Sequence, residues 1–96
     1  MIFNVKSRES IAVADTAKTL TASAITTSVI YARIQVQVAS VRVTFEGTTP
    51  APATPVGEIW YPGDIYELWG TANMTNFKAI REGSTSAVLE VTYLGQ

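Results

Sequence analysis

IYARIQVQVASVRVTFEG, residues 30–47, carries the pattern that decides the fold class. Ile30, Ala32, Ile34, Val36 and Val38 fall on one side of an extended chain, and Tyr31, Arg33, Gln35 and Gln37 fall on the other. That is the period-two alternation of a half-buried strand, because successive side chains of a strand point to opposite faces. A helix would scatter the same residues around its circumference. The apolar parity then changes at Ala39-Ser40 and resumes as Val41, Val43 and Phe45, with Arg42, Thr44 and Glu46 opposite. Such a change requires a tight reversal or a bulge. A two-residue reversal predicts a hairpin in which Val38 faces Val41, Val36 faces Val43 and Ile34 faces Phe45 on a single sheet face.

Working outward toward the N-terminus, residues 2–5 and 10–14 read as two short strands, with Phe3, Val5, Ile11 and Val13 as inward candidates. Asp15-Thr16 is the expected turn before a short strand at 18–21, and residues 22–28 read as a loop or weak edge strand. Toward the C-terminus, GTTPAPATP (47–55) carries three of the four prolines. Its backbone cannot donate a continuous ladder, so it is expected as a surface loop, either a binding element or a plain connection.

GEIWYPGDIYELWG (57–70) reads as a hairpin around Pro62-Gly63, residues suited to the centre of a type II turn. With Tyr61 opposite Asp64, Ile59, Tyr66 and Leu68 would face the core. Glu58, Trp60, Ile65, Glu67 and Trp69 would share the other face, and a face mixing two tryptophans with carboxylates is unusual in water. Those five residues and Tyr61 form the candidate interface, since tryptophan and tyrosine are enriched where proteins meet. Residues 73–77 suggest one helical turn capped by Asn73, followed by a strand at 77–81, a turn at Gly83-Ser84-Thr85 and a last strand at 87–94. In that last strand Ala87, Leu89, Val91 and Tyr93 share one face. The sum is one all-β domain spanning 1–96, an antiparallel β-sandwich of seven or eight short strands, of jelly-roll or immunoglobulin-like order.

Composition narrows the chemistry. The chain has 96 residues, 47% of them apolar and 16% charged, with net charge −1 and neither histidine nor cysteine. Nucleophile–base pairs built on His or Cys and nitrogen or sulfur metal sites are therefore excluded, and no basic cluster suggests nucleic acid. No apolar run approaches the roughly 18 residues of a membrane span. The start has no apolar core of signal-peptide length, so the chain is expected to remain soluble where it is made. Glu58 and Glu67 could pair as glycosidase carboxylates if they were cross-strand neighbours, but opposed carboxylates in solvent need no catalytic role. Asp64 reads as a turn residue rather than a calcium ligand, because no acidic cluster surrounds it. The expectation is a protein without enzymatic activity, cofactor or metal.

The succession VRVTFEG, TPAPATPVG, PGDIYELWG and ANMTNFKAIREGSTSAVLEVTY, running over about residues 32–93, resembles small bacteriophage virion structural proteins. These are capsid decoration or cement proteins, head fibres and tail accessory proteins. The resemblance implies a homo-oligomer, often a trimer, that is made in the host cytoplasm and docks on the major capsid protein or another virion protein. The first thirty residues carry less of it and are the part expected to adapt to a particular capsid. A carbohydrate- or receptor-binding module, with Trp60 and Trp69 stacking on sugar faces, is the reading from a different class.

Overall fold

A computed structural model of the protein describes residues 3–96. Its strands are β1 (Asn4–Val13), β2 (Lys18–Thr19), β3 (Val29–Gln37), β4 (Val41–Thr44), β5 (Glu58–Trp60), β6 (Ile65–Trp69), β7 (Lys78–Arg81) and β8 (Ala87–Gly95), with one short helix, α1 (Thr71–Asn76), between β6 and β7. They form two four-stranded sheets of order β1-β8-β3-β6 and β2-β7-β4-β5, all pairs antiparallel. Among the described connections only β4 to β5 joins neighbours within one sheet; every other one crosses the sandwich. This is jelly-roll order, one of the two topologies that the alternation left open.

The largest correction concerns the central pair. β3 and β4 do not form a hairpin: β3 lies between β8 and β6, and β4 lies between β7 and β5 in the opposite sheet. The parity change is real, but its cause is a γ-turn, in which the Ala39 N–H donates to the Gln37 carbonyl at 3.0 Å and the intervening Val38 sits at φ 78°. A β-branched residue in that region is strained. The turn aims the chain across the core rather than back alongside itself, and Val38, expected inward, is 69% exposed. Ile34 and Val36 thus meet Val41 and Val43 across the core between sheets, in one buried cluster with Leu89, Val91, Tyr93, Phe77 and Trp60.

The expected hairpin at 57–70 fails in the same way. The turn itself is present: the Asp64 N–H donates to the Tyr61 carbonyl at 3.2 Å, and Gly63 takes φ 91°, which a type II turn demands of its third residue. Type II turns splay the strands they join, because their twist opposes that of a ladder. Accordingly β5 pairs with β4 and β6 pairs with β3, one in each sheet.

At the N-terminus the two expected strands are one, β1, with a register shift between Val5 and Ser7 where it pairs with β8. Beyond that shift Val5 faces outward and is exposed, whereas Ile11 and Val13 point inward as expected. Ile2, assigned to the first of those strands, lies outside the described residues. Asn73 is not a cap: α1 begins at Thr71 behind Gly70, and the Asn73 side-chain amide donates to the Trp69 carbonyl at 2.8 Å. The proline-rich loop is the long surface connection expected, pinched by reciprocal bonds between Ala51 and Val56 at 3.0 and 2.9 Å.

Arg42 departs from simple alternation. It points away from the core on β4 yet is only 8% exposed, because the end of the proline-rich loop and Glu82 cover it. Its Nε and Nη2 donate to the two Glu82 oxygens at 2.8 Å each, and Nη1 donates to the Gly57 carbonyl at 2.8 Å. Gly57 lies so close that a Cβ there would stand 2.6 Å from the Val43 carbonyl oxygen. The bidentate bond from Arg42 holds the Glu82 carboxyl below its ordinary range despite partial burial. The Ser10 hydroxyl, ahead of Arg8, does the same for Glu90. A depressed carboxylate pKa adds stability above the unfolded value and loses it as pH falls through the folded value. The melting midpoint is therefore expected to fall as pH drops below about 4. In Arg42→Met it should start lower and depend less on acid, which thermal melts across a pH series would check.

Candidate functional site

The outer face of the β1-β8-β3-β6 sheet carries the exposed aromatic groups. Strand registers arrange its side chains in rows running across all four strands. One row reads Val5, Leu94, Tyr31 and Trp69; the next Arg8, Thr92, Arg33 and Glu67; the third Ser10, Glu90, Gln35 and Ile65.

The first row is an aromatic platform. Tyr31 and Trp69 are cross-strand partners, stacked with centroids 4.1 Å apart and ring planes at 10°. Phe3 lies beside both, its ring plane nearly perpendicular to theirs at centroid distances of 5.5 and 5.7 Å. Trp69 remains 46% exposed. Its indole Nε1 donates to Glu67 Oε1 at 3.1 Å, and its carbonyl is held by Asn73, so ring and backbone are fixed independently. In the polar rows below, Arg8 pairs with Glu90 at 2.6 Å and the Ser10 hydroxyl also donates to Glu90. Ile65, at 58% exposure, stands alone among polar neighbours.

Three of the six candidate residues thus come together on one face: Ile65, Glu67 and Trp69, all from β6. Trp60 does not join them. It is 3% exposed, stacked on Tyr66 at 3.9 Å with planes at 5° and packed against Phe77 and Phe45. These rings close the gap between the sheets where β5 and β6 form their edges. Glu58 is exposed and serves Trp60, accepting from its Nε1 at 3.0 Å. It stands on β5, in the other sheet from Glu67, so the two are not the cross-strand carboxylates that glycosidase chemistry would need. Tyr61 is exposed, but in the turn at the far end of β6 from Trp69.

The residues missed were Phe3, Val5, Tyr31 and Leu94. Tyr31 was legible as outward from the alternation of β3, and only its stacking partner was hidden. Phe3 and Val5, both expected inward, belong to the outer face instead, and nothing in the sequence marks the register shift that turns them there.

A second polar cluster lies under β1. Glu9 accepts from the Tyr93 hydroxyl and from the Thr21 hydroxyl at 2.6 Å and its N–H at 3.3 Å. Burial, then the bond to Glu9, pushes the Tyr93 hydroxyl far above its ordinary range. The phenol therefore stays protonated and donates. With its three donors Glu9 is fully engaged in tying β1, β8 and the segment after β2 together, which is a structural clasp. No family model, curated protein or solved structure matches the chain.

Proposed function

We propose that this protein is a non-enzymatic structural component of a bacteriophage virion, a capsid decoration or cement protein that binds the major capsid protein lattice as a homo-oligomer, with a trimer favoured, and stabilises the head. The observation that carries this reading is the platform of Tyr31, Trp69, Phe3, Leu94 and Val5, bordered on the same sheet face by the charged row of Arg8, Arg33 and Glu67. Contiguous apolar groups rimmed by charge mark a surface that another macromolecule covers, and rigid, pre-stacked aromatic rings give up little entropy when it does. The jelly-roll order adds an analogy, since the fold recurs in viral capsid proteins, and analogy of fold alone does not carry function.

The same fold recurs in lectins, and an exposed tryptophan suits the face of a sugar, so a carbohydrate- or receptor-binding module is the second reading. One face of Trp69 is already taken by Tyr31, which favours burial of the pair as a block over its use as an open sugar shelf. Co-sedimentation with heads of the parent phage that lack the protein separates the two readings. Binding without sugar dependence, weakened at least about tenfold by Trp69→Ser, is expected; the loss of two to three kcal/mol that truncating an aromatic anchor typically costs would be more than enough, at about 1.4 kcal/mol per tenfold. Retention on a glycan surface with no binding to heads would overturn the first reading in favour of the second.

A further inference from the structure

We propose that copies of this chain join edge to edge, with β6 of one copy pairing antiparallel to β1 of the next, so that the outer sheet runs on from molecule to molecule. The inference rests on the reading of the protein as a homo-oligomer, and it names both the partner, a second copy, and the segments that meet.

β1 and β6 are the two edges of their sheet. The edges of the other sheet, β2 and β5, have two and three residues, too short to template a further strand. β6, with the sequence IYELW, has a single charge and no proline, so it lacks the usual devices that keep an edge from pairing.

Ladder parity leaves matching groups free. The Val36 N–H donates to the Asp64 carbonyl and the Gly70 N–H to the Ile30 carbonyl, so the even-numbered residues of β3 bond β6. Bonding alternates along an antiparallel strand. The N–H groups of Ile65, Glu67 and Trp69 and the carbonyls of Ile65 and Glu67 therefore point off the edge. The same alternation carried through β8 turns the backbone groups of Arg8, Ser10 and Ala12 off the β1 edge. All these residues have outward side chains, so bringing the two edges together keeps one face outermost throughout.

Direction and charge then select the register. Strands alternate in direction across the four-stranded sheet, so β1 of a neighbour laid beside β6 without inversion is antiparallel to it. Continuing the rows sets Glu67 opposite Arg8, Ile65 opposite Ser10 and Trp69 toward Val5, an opposite-charge pair beside an apolar one. The charged row would alternate in sign through the junction, as Arg33, Glu67, then Arg8 of the next copy. A symmetric pairing of two β6 edges centred on Glu67 would instead oppose that carboxylate to itself. A contact between different edges is heterologous, closing into a ring or running on as an open chain according to its rotation.

Sedimentation of the full chain at micromolar concentration tests this, with circular dichroism confirming that each variant is folded. The wild type should sediment as species larger than the 10.3 kDa monomer. Glu67→Arg and Arg8→Glu should each raise the dissociation constant by at least about tenfold, and the double exchange should restore association. A wild type that stays monomeric overturns the pairing, as do single variants that assemble normally, or a double variant no better than either single. Binding to phage heads is measured separately, so the edge pairing can fail while the virion reading stands.

Discussion

Val36→Asp is expected to leave the protein unfolded under conditions where Gln35→Asp still melts cooperatively. Val36 is fully buried on β3, against the opposite sheet. An aspartate there either carries an unpaired charge in an apolar interior or stays protonated with unsatisfied oxygens; each costs several kcal/mol. A domain of this size has a total stability of about 5 to 10 kcal/mol, so the loss takes most of it. Gln35 points to the outer face, across from Glu90 on one side and Ile65 on the other. A carboxylate there meets Glu90, and aspartate, one methylene shorter, draws the acceptor away from the Gln37 amide that now donates to Gln35, a cost of about 1 kcal/mol in partly hydrated surroundings. Thermal melts by circular dichroism decide the matter. Equal loss in both variants would mean that the assigned faces of β3 are wrong.

Face assignment was the legible part of this fold, and strand pairing was not. Alternation depends on neighbouring residues alone, so it correctly placed Ala32, Ile34 and Val36 on β3 and Tyr66 and Leu68 on β6 inside, and it grouped Ala87, Leu89, Val91 and Tyr93 on one face of β8, the face that is buried. Pairing depends on residues far apart in sequence. The Ala39-Ser40 parity shift is equally consistent with a strand that folds back beside its predecessor and one that crosses to face it, and only the contacts of β4 with β7 and β5 separate the two. One clue was local: Pro62-Gly63 suits a turn whose twist splays its strands. Taken seriously, it predicts that β5 and β6 part company. Once they part, the parity carried across the turn no longer applies to β5, so its two faces are exchanged: Ile59, expected in the core, shares the outward face with Arg42, and Trp60, expected outside, is buried. The buried state of Arg42 was equally hidden, because its cover comes from Glu82, forty residues away.

The two tryptophans give the second large effect, with opposite outcomes for residues that look alike in sequence. Each follows a glutamate by two positions, donates its indole N–H to that carboxylate and lies flat on a tyrosine. They differ in what else surrounds the ring: for Trp60 it is Phe77 and Phe45 between the sheets, and for Trp69 it is Phe3 on the outer face and solvent. Trp60→Ala should therefore cost about 3 to 5 kcal/mol, since it removes a large buried ring and leaves a cavity among Tyr66, Phe77 and Phe45. In a domain this small that is close to complete loss of the folded state at physiological temperature. Trp69→Ser gives up its contacts with Tyr31 and Phe3 on an exposed face, worth about 1 to 2 kcal/mol, and should keep a cooperative melt and an unchanged β-rich spectrum while attachment to its partner weakens. Urea unfolding of the two variants measures both predictions on one scale. If Trp69→Ser unfolds as readily as Trp60→Ala, the Tyr31–Trp69 platform is part of the fold's own support, and the surface that meets the partner must be sought in the proline-rich loop between β4 and β5.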